Sequence, residues 1–207
     1  MRLLYAPSSP PDDSPETADI YSRIAARRTP RPLIPLDLTL LHAPAIADGY
    51  NSFVGALRTR TIIDAGLSEL AICRVAILNQ AVYEWNIHAP LSLKAGVAPE
   101  VLDACFSLPA SAGGNETYVG NRAWAESCLS AVQRAVLLYT DQMTKTVAVD
   151  DKVFGYLAVA GLSEREIVEL TATIAGYNCV SRILVSLDVG ENNGRQMKRV
   201  EELVVDV

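Results

Sequence analysis

Histidine is nearly missing from this chain: there are two in 207 residues, His42 and His88. The four cysteines, Cys73, Cys105, Cys128 and Cys179, are scattered singly and form no CxxC. Neither set has the clustering of a zinc site, so no metal is expected. Each cysteine lies in an apolar, helix-like stretch of a chain long enough to build its own core. Four buried thiols in a reducing compartment are therefore expected, rather than a disulfide framework. No run of 18 apolar residues occurs, which leaves no membrane-spanning segment to assign. The opening MRLLYAPSSPP is too short, and too soon broken by proline, for a secretory leader. Long basic runs are also missing and the net charge is −6. Nucleic acid and anionic membrane would meet no concentrated positive field, although a locally basic pocket for a small anionic substrate is compatible with that balance. A cytoplasmic location is the expectation, and the sequon at Asn115 carries little weight without secretion.

What is present is a core. Half of the residues are hydrophobic and a fifth are charged, the balance of one globular domain. Three prolines in residues 1–13 imply an extended or disordered arm. A helix then starts at Ser14 as cap, with Pro15 in its first turn and Glu16 near its positive end. RTPRPLIPL reads as a connector, and a second helix enters through Pro44. GLSELAICRVAILNQ follows with Gly66 as punctuation and Ser68 as cap; it is apolar all round, the mark of a central helix. AVYEWNIHAPLSLKAG continues to Gly96, with Pro90 forcing a kink or a fresh start. After a short helix in APEVLDACFSL comes a loop, PASAGGNETYVGN. Residues 122–146 read as one long amphipathic helix, residues 150–160 as a shorter one, and residues 161–190 as the last. The echo of GLSELAI by GLSEREI at 161–167 marks two strongly apolar helices, both expected to be central. The pattern is all-α.

The residues that carry chemistry lie in YEWNIH. Glu84 and His88 stand at i,i+4, side by side on a helix. A carboxylate beside an imidazole fixes its tautomer and favours the protonated ring, the arrangement of a proton donor. On this reading Glu84 orients His88, and Tyr83 and Trp85 wall a pocket. Glu69 would be about 28 Å from His88 along one straight helix, and joins it only if the chain breaks between them. Arg74 and Arg182, each interrupting an apolar run, are candidates to bind a substrate carboxylate or to pair with a buried glutamate. His42, beside Pro44, reads as a local cap.

The stretch LSELAICRVAILNQAVYEWNIHAPLSLKAGV resembles the carboxymuconolactone decarboxylase family, which shares its fold with the AhpD-type alkyl hydroperoxidases. The likeness spans roughly residues 36–190, between an N-terminal arm with a short helix (1–35) and a C-terminal tail (191–207). It implies an all-helical AhpD-like bundle that assembles as a dimer, trimer or hexamer with pockets near subunit contacts. It also implies that a break near Asn79 lets Glu69 and His88 converge. In the peroxidase branch a CxxC stands where this chain has Ala81 and Glu84, so the resemblance is to the non-redox branch. That branch implies no cofactor, and a small lactone-type or other anionic substrate that loses CO₂ or moves a proton. Glu69, Glu84 and His88 would be catalytic, and Tyr83, Trp85, Arg74 and Arg182 would bind substrate. Thiol-dependent peroxide reduction and a non-catalytic binding or scaffolding role are the alternatives. The N-terminal arm suggests a relative from secondary metabolism.

Overall fold

Proline and short polar caps decide where these helices begin. A computed structural model describes residues 1–11, 14–111 and 122–204. The helices α1 (Pro15–Arg28), α2 (Pro35–Leu40), α3 (Pro44–Thr59) and α6 (Pro99–Ser107) each carry proline in the first turn. There its missing N–H costs nothing and its fixed φ suits the helix. Ser14 caps α1 by accepting from the Thr17 amide. Ser130 and Ser163 open α8 (Ala131–Lys145) and α10 (Glu164–Leu187) with full capping boxes, closed by Gln133 and Glu166. The other elements are α4 (Ala65–Leu78), α5 (Val82–Lys94), α7 (Arg122–Ala125), α9 (Asp151–Val159) and α11 (Val200–Val204). No strand occurs among the described residues.

The axis of the bundle is α4. Leu70, Ala71, Ile72, Cys73, Val75 and Ala76 are all essentially inaccessible, because α5, α6, α8 and α10 pack around it. At its end Asn79 is the C-cap and Gln80 takes a left-handed φ of 55°. The chain reverses within three residues, and α5 returns along α4 as a helical hairpin. The side-chain amide of Asn79 pins this turn to α10, donating to Asn178 Oδ1 (3.0 Å) and Ser181 Oγ (2.8 Å). Gly176 lets α3 close onto α10. A Cβ there would lie 3.0 Å from both Phe53 and Leu57, so those side chains would have to give by a few tenths of an ångström.

The arm is extended and held. The amide of Arg2 donates to Leu187 O (2.8 Å) and that of Ala6 to Leu38 O (3.1 Å). The terminal amine meets Glu191 (3.1 Å), and His42 Nε2 lies 2.6 Å from Leu4 O. His42 therefore tethers the arm instead of capping a helix.

Several sequence expectations need correction. Asp64, not Ser68, caps α4 by accepting from the Leu67 amide (2.9 Å), and Gly66 lies inside the helix. Residues 122–146 form two helices, because the Ser130 capping box restarts the chain at α8. The short helices α2 and α11 were not legible; α11 seals the bundle with Val200 and Leu203. Pro90 neither ends nor restarts α5, which runs through it. Only Cys73 and Cys105 are buried, while Cys128 and Cys179 are exposed. The loop expected at 109–121 lies, over 112–121, outside the described residues. Finally, α10 is long and apolar enough to span a membrane by length and composition. It buries Leu170, Ile174, Tyr177 and Leu184 against the bundle, as a core helix does.

Candidate active site

Because α5 folds back along α4, residues 19 apart in sequence become neighbours. His88 Nδ1 lies 2.7 Å from Glu69 Oε2. The other oxygen, Oε1, accepts from Arg58 at the end of α3. Burial alone would raise the Glu69 pKa. The hydrogen bond and charge of His88, with the Arg58 guanidinium, outweigh it and hold the carboxyl below its usual 4.5. An ionised Glu69 can only accept, so Nδ1 carries the hydrogen and donates it, which sets the tautomer of the ring. Nε2 has no hydrogen-bond partner among the described residues, and the side chain is 12% exposed. It is the ring edge that the described residues leave uncommitted.

Tyr177 of α10 closes the inner wall. Its ring meets the His88 imidazole edge-on, with centroids 4.9 Å apart at 83°. Burial pushes the phenol pKa well up, and Arg58 beside it only partly opposes this. Arg58 and Tyr177 had no sequence signal beyond an arginine at a helix end and a tyrosine in an apolar helix.

Glu84 is not the partner of His88. It shares the α5 surface at i,i+4, but Nδ1 of His88 turns toward α4 and finds Glu69 there. Glu84 is 1% exposed, and neither carboxyl oxygen has a hydrogen-bond partner among the described residues. Burial raises its pKa well above 4.5 and so favours the neutral acid. It lies within electrostatic reach of Cys73 and Tyr177.

Two more expectations fail on geometry. Arg74 is 1% exposed; its Nε and Nη2 grip Asp141 (2.5 and 2.8 Å) and Nη1 donates to Cys105 O and Leu108 O. With those donors committed it clamps α4 to α8 and to the end of α6, and it has nothing to offer a substrate. Trp85 is fully buried, donating to Lys198 O (2.9 Å) and packing 5.1 Å from the Phe106 ring. It fastens the C-terminal segment to α5. Arg182 is exposed and donates to Asn178 O and Oδ1 (2.7 Å each), buttressing the network around the α4–α5 turn. Tyr83 is half-buried against Gly190, its pKa raised to about 12 by burial first and Asp37 second. A recess of about 160 Å³ between Asp64, Leu67, Val97 and Gln133 includes none of the cluster residues. No group of three metal-ligating side chains occurs among the described residues.

A helical bundle with an acid–imidazole pair across a reversed helical hairpin defines the class of protein. Residues 44–127 match the carboxymuconolactone decarboxylase family. Among solved structures the chain is similar to an uncharacterised peroxidase-related protein with the alkylhydroperoxidase AhpD core, from Ralstonia eutropha. The TM-score is 0.65 at 19% identity, over 96% of each chain. A peroxidase-related protein from a Silicibacter species gives 0.66 at 15% identity, over 93% of this chain and 94% of that one. The debrominase Bmp8, as a cysteine-to-alanine variant in complex with 2,3,4-tribromopyrrole, gives 0.64 at 17% identity, over 100% and 97%. No curated protein matches. The chain has the all-helical AhpD/carboxymuconolactone decarboxylase-like fold, and its sequence holds no CxxC.

Proposed function

We propose that the protein is a cofactor-independent enzyme of the lyase or isomerase type, moving a proton on a small cyclic or lactone carboxylic acid. One observation carries the reading. His88 is held through Nδ1 by an ionised, buried Glu69, and this leaves Nε2, unpartnered among the described residues, as the exchanging edge. In a decarboxylation the electron pair of the breaking C–CO₂ bond flows into the lactone as a dienolate. The protonated ring then delivers its Nε2 hydrogen to carbon, and a proton from water restores it. In an isomerisation Nε2 first accepts the hydrogen and then returns it to another carbon. Glu69 holds the ring and stabilises its charge in both cases.

The redox alternative is disfavoured. Ala81 and Glu84 stand where the peroxidase branch has its thiols. The neighbouring Cys73 and the Cys105 thiol are raised by burial, the latter to about 12, which makes poor thiolates. The complex of the debrominase with 2,3,4-tribromopyrrole, a five-membered ring, supports a small cyclic ligand. The test incubates small lactone acids with the protein in D₂O. Deuterium should appear at the reacting carbon with wild type and not with His88→Ala. Exchange undiminished in the folded variant would sink the mechanism.

A further inference from the structure

Four arginines of this chain present the same edge of the guanidinium, Nε with Nη2, to something inside or beside the bundle. In three of them that edge grips a carboxylate. Arg23 takes Asp48 (3.0 and 2.9 Å), Arg28 takes Asp37 (2.7 and 2.8 Å), and Arg74 takes Asp141. The fourth is Arg27, whose Nε and Nη2 are both buried and have no hydrogen-bond partner among the described residues. Two side-by-side N–H donors match the two oxygens of one carboxylate, and leaving them unmet is costly.

The place of Arg27 gives this edge a purpose. From α1 the side chain crosses α3 over Gly55, where a Cβ would lie 3.7 Å from Arg27 Cδ. Gly55 sits one turn before Arg58 and one turn after Asn51, so all three share a face of α3. The amide oxygen of Asn51 is also buried without a hydrogen-bond partner among the described residues. Arg27 lies within electrostatic reach of Tyr177, the residue that borders His88. Charge points the same way. Arg28 is matched by Asp37 and Arg58 by Glu69, whereas Arg27 has no ion pair among the described residues. Arg27 is half-buried and the Arg58 side chain 31% exposed, so the cluster meets solvent at the α1–α3 edge.

We propose that Arg27 is the anion-binding residue of the site, its Nε–Nη2 edge holding the carboxylate of a small planar-ring acid beside Tyr177 and His88. This rests on the reading of the site as a proton-transfer centre for such acids, and it assigns a substrate contact to a helix outside the segment that matches the family. Lysine would keep the charge and lose the fork.

The test is a calorimetric titration of the full-length protein with furan-2-carboxylate and its neutral counterpart, furan-2-carboxamide. Wild type should prefer the carboxylate by at least about ten-fold, the worth of hydrogen bonds to a charged group. Arg27→Gln should remove that preference and Arg27→Lys should keep part of it, while Arg23→Gln, on the same helix, should leave it whole. Arg27→Gln should not lower the melting temperature, since the lost edge makes no hydrogen bond to a described residue; should that variant not fold, Arg27→Lys carries the comparison. An undiminished preference in the Arg27 variants, or none in wild type, overturns the proposal. Deuterium exchange separates the two ideas: exchange without anion preference sinks the Arg27 role alone, and anion preference without exchange sinks the proton-transfer reading alone.

Discussion

At the scale of residues, three side chains divide the work that one helical turn was expected to do. Nδ1 of His88 can donate to a single strong acceptor, and Glu69 occupies that position. His88→Ala should therefore keep the fold and lower turnover by about 100-fold or more, the usual worth of a positioned acid/base, read by steady-state rates beside melting curves. The two glutamates part in a second experiment. Proton NMR should show the His88 Nδ1 hydrogen in a strong hydrogen bond in wild type and in Glu84→Met, and should lose it in Glu69→Gln. Persistence in Glu69→Gln would return the orienting role to Glu84.

Their linkage to pH has opposite signs. The lowered pKa of Glu69 contributes stability above about 4.5 that is lost as pH falls through the folded value. The raised pKa of Glu84 does the reverse: the folded state is relatively favoured in acid and loses stability as pH rises above 4.5. Glu84→Met, which removes an unpartnered buried carboxyl, should raise stability by roughly 1–3 kcal/mol at pH 7. That gain should shrink toward pH 4.5. Denaturant melts at the two pH values check this, and an equal gain at both would show that ionisation is not its source.

At the scale of elements, the turn between α4 and α5 and the clamp around Arg74 decide the site from outside it. The left-handed Gln80 reverses the chain, and Asn79 ties the reversal to α10, so Glu69 faces His88 while Tyr177 stands beside them. Arg74 holds α4 to α8 from the other side. Arg74→Leu strands Asp141 without a countercharge inside the bundle and should cost roughly 3–5 kcal/mol. A denaturant titration reads this directly, and a loss under 1 kcal/mol would mean that Asp141 finds water or another donor.

At the scale of the whole molecule, the surface keeps apolar side chains that a bundle of this size does not cover. Ile46 (63%), Phe53 (47%) and Val168 (67%) are exposed on α3 and α10, the two helices that flank the cluster. We expect the chain to assemble with copies of itself, placing the site near a subunit contact. Light scattering at micromolar concentration should give a multiple of the chain mass, and a stable, active monomer would exclude it.

The sequence by itself determined a good deal. Proline at helix starts, serine caps and the all-round apolarity of residues 65–78 specify an all-helical bundle with that segment at its centre, because these are local preferences that each helix satisfies within its own few residues. Two members of the cluster were also legible, since a lone histidine and acids inside apolar helices are conspicuous. Pairings were not. Periodicity sees only neighbours on one helix, so it joined Glu84 to His88 and offered Arg74 to a substrate. It had no way to know that α4 would lie against α5 with Glu69 at the level of His88, or that Asp141 would wait for Arg74. Which acid holds the imidazole, which arginines are already spent, and that Arg27, Arg58 and Tyr177 belong to the same cluster were decided only when the helices packed. A hydrogen bond needs atoms within about 3 Å, and only the tertiary structure brings residues so distant along the chain that close.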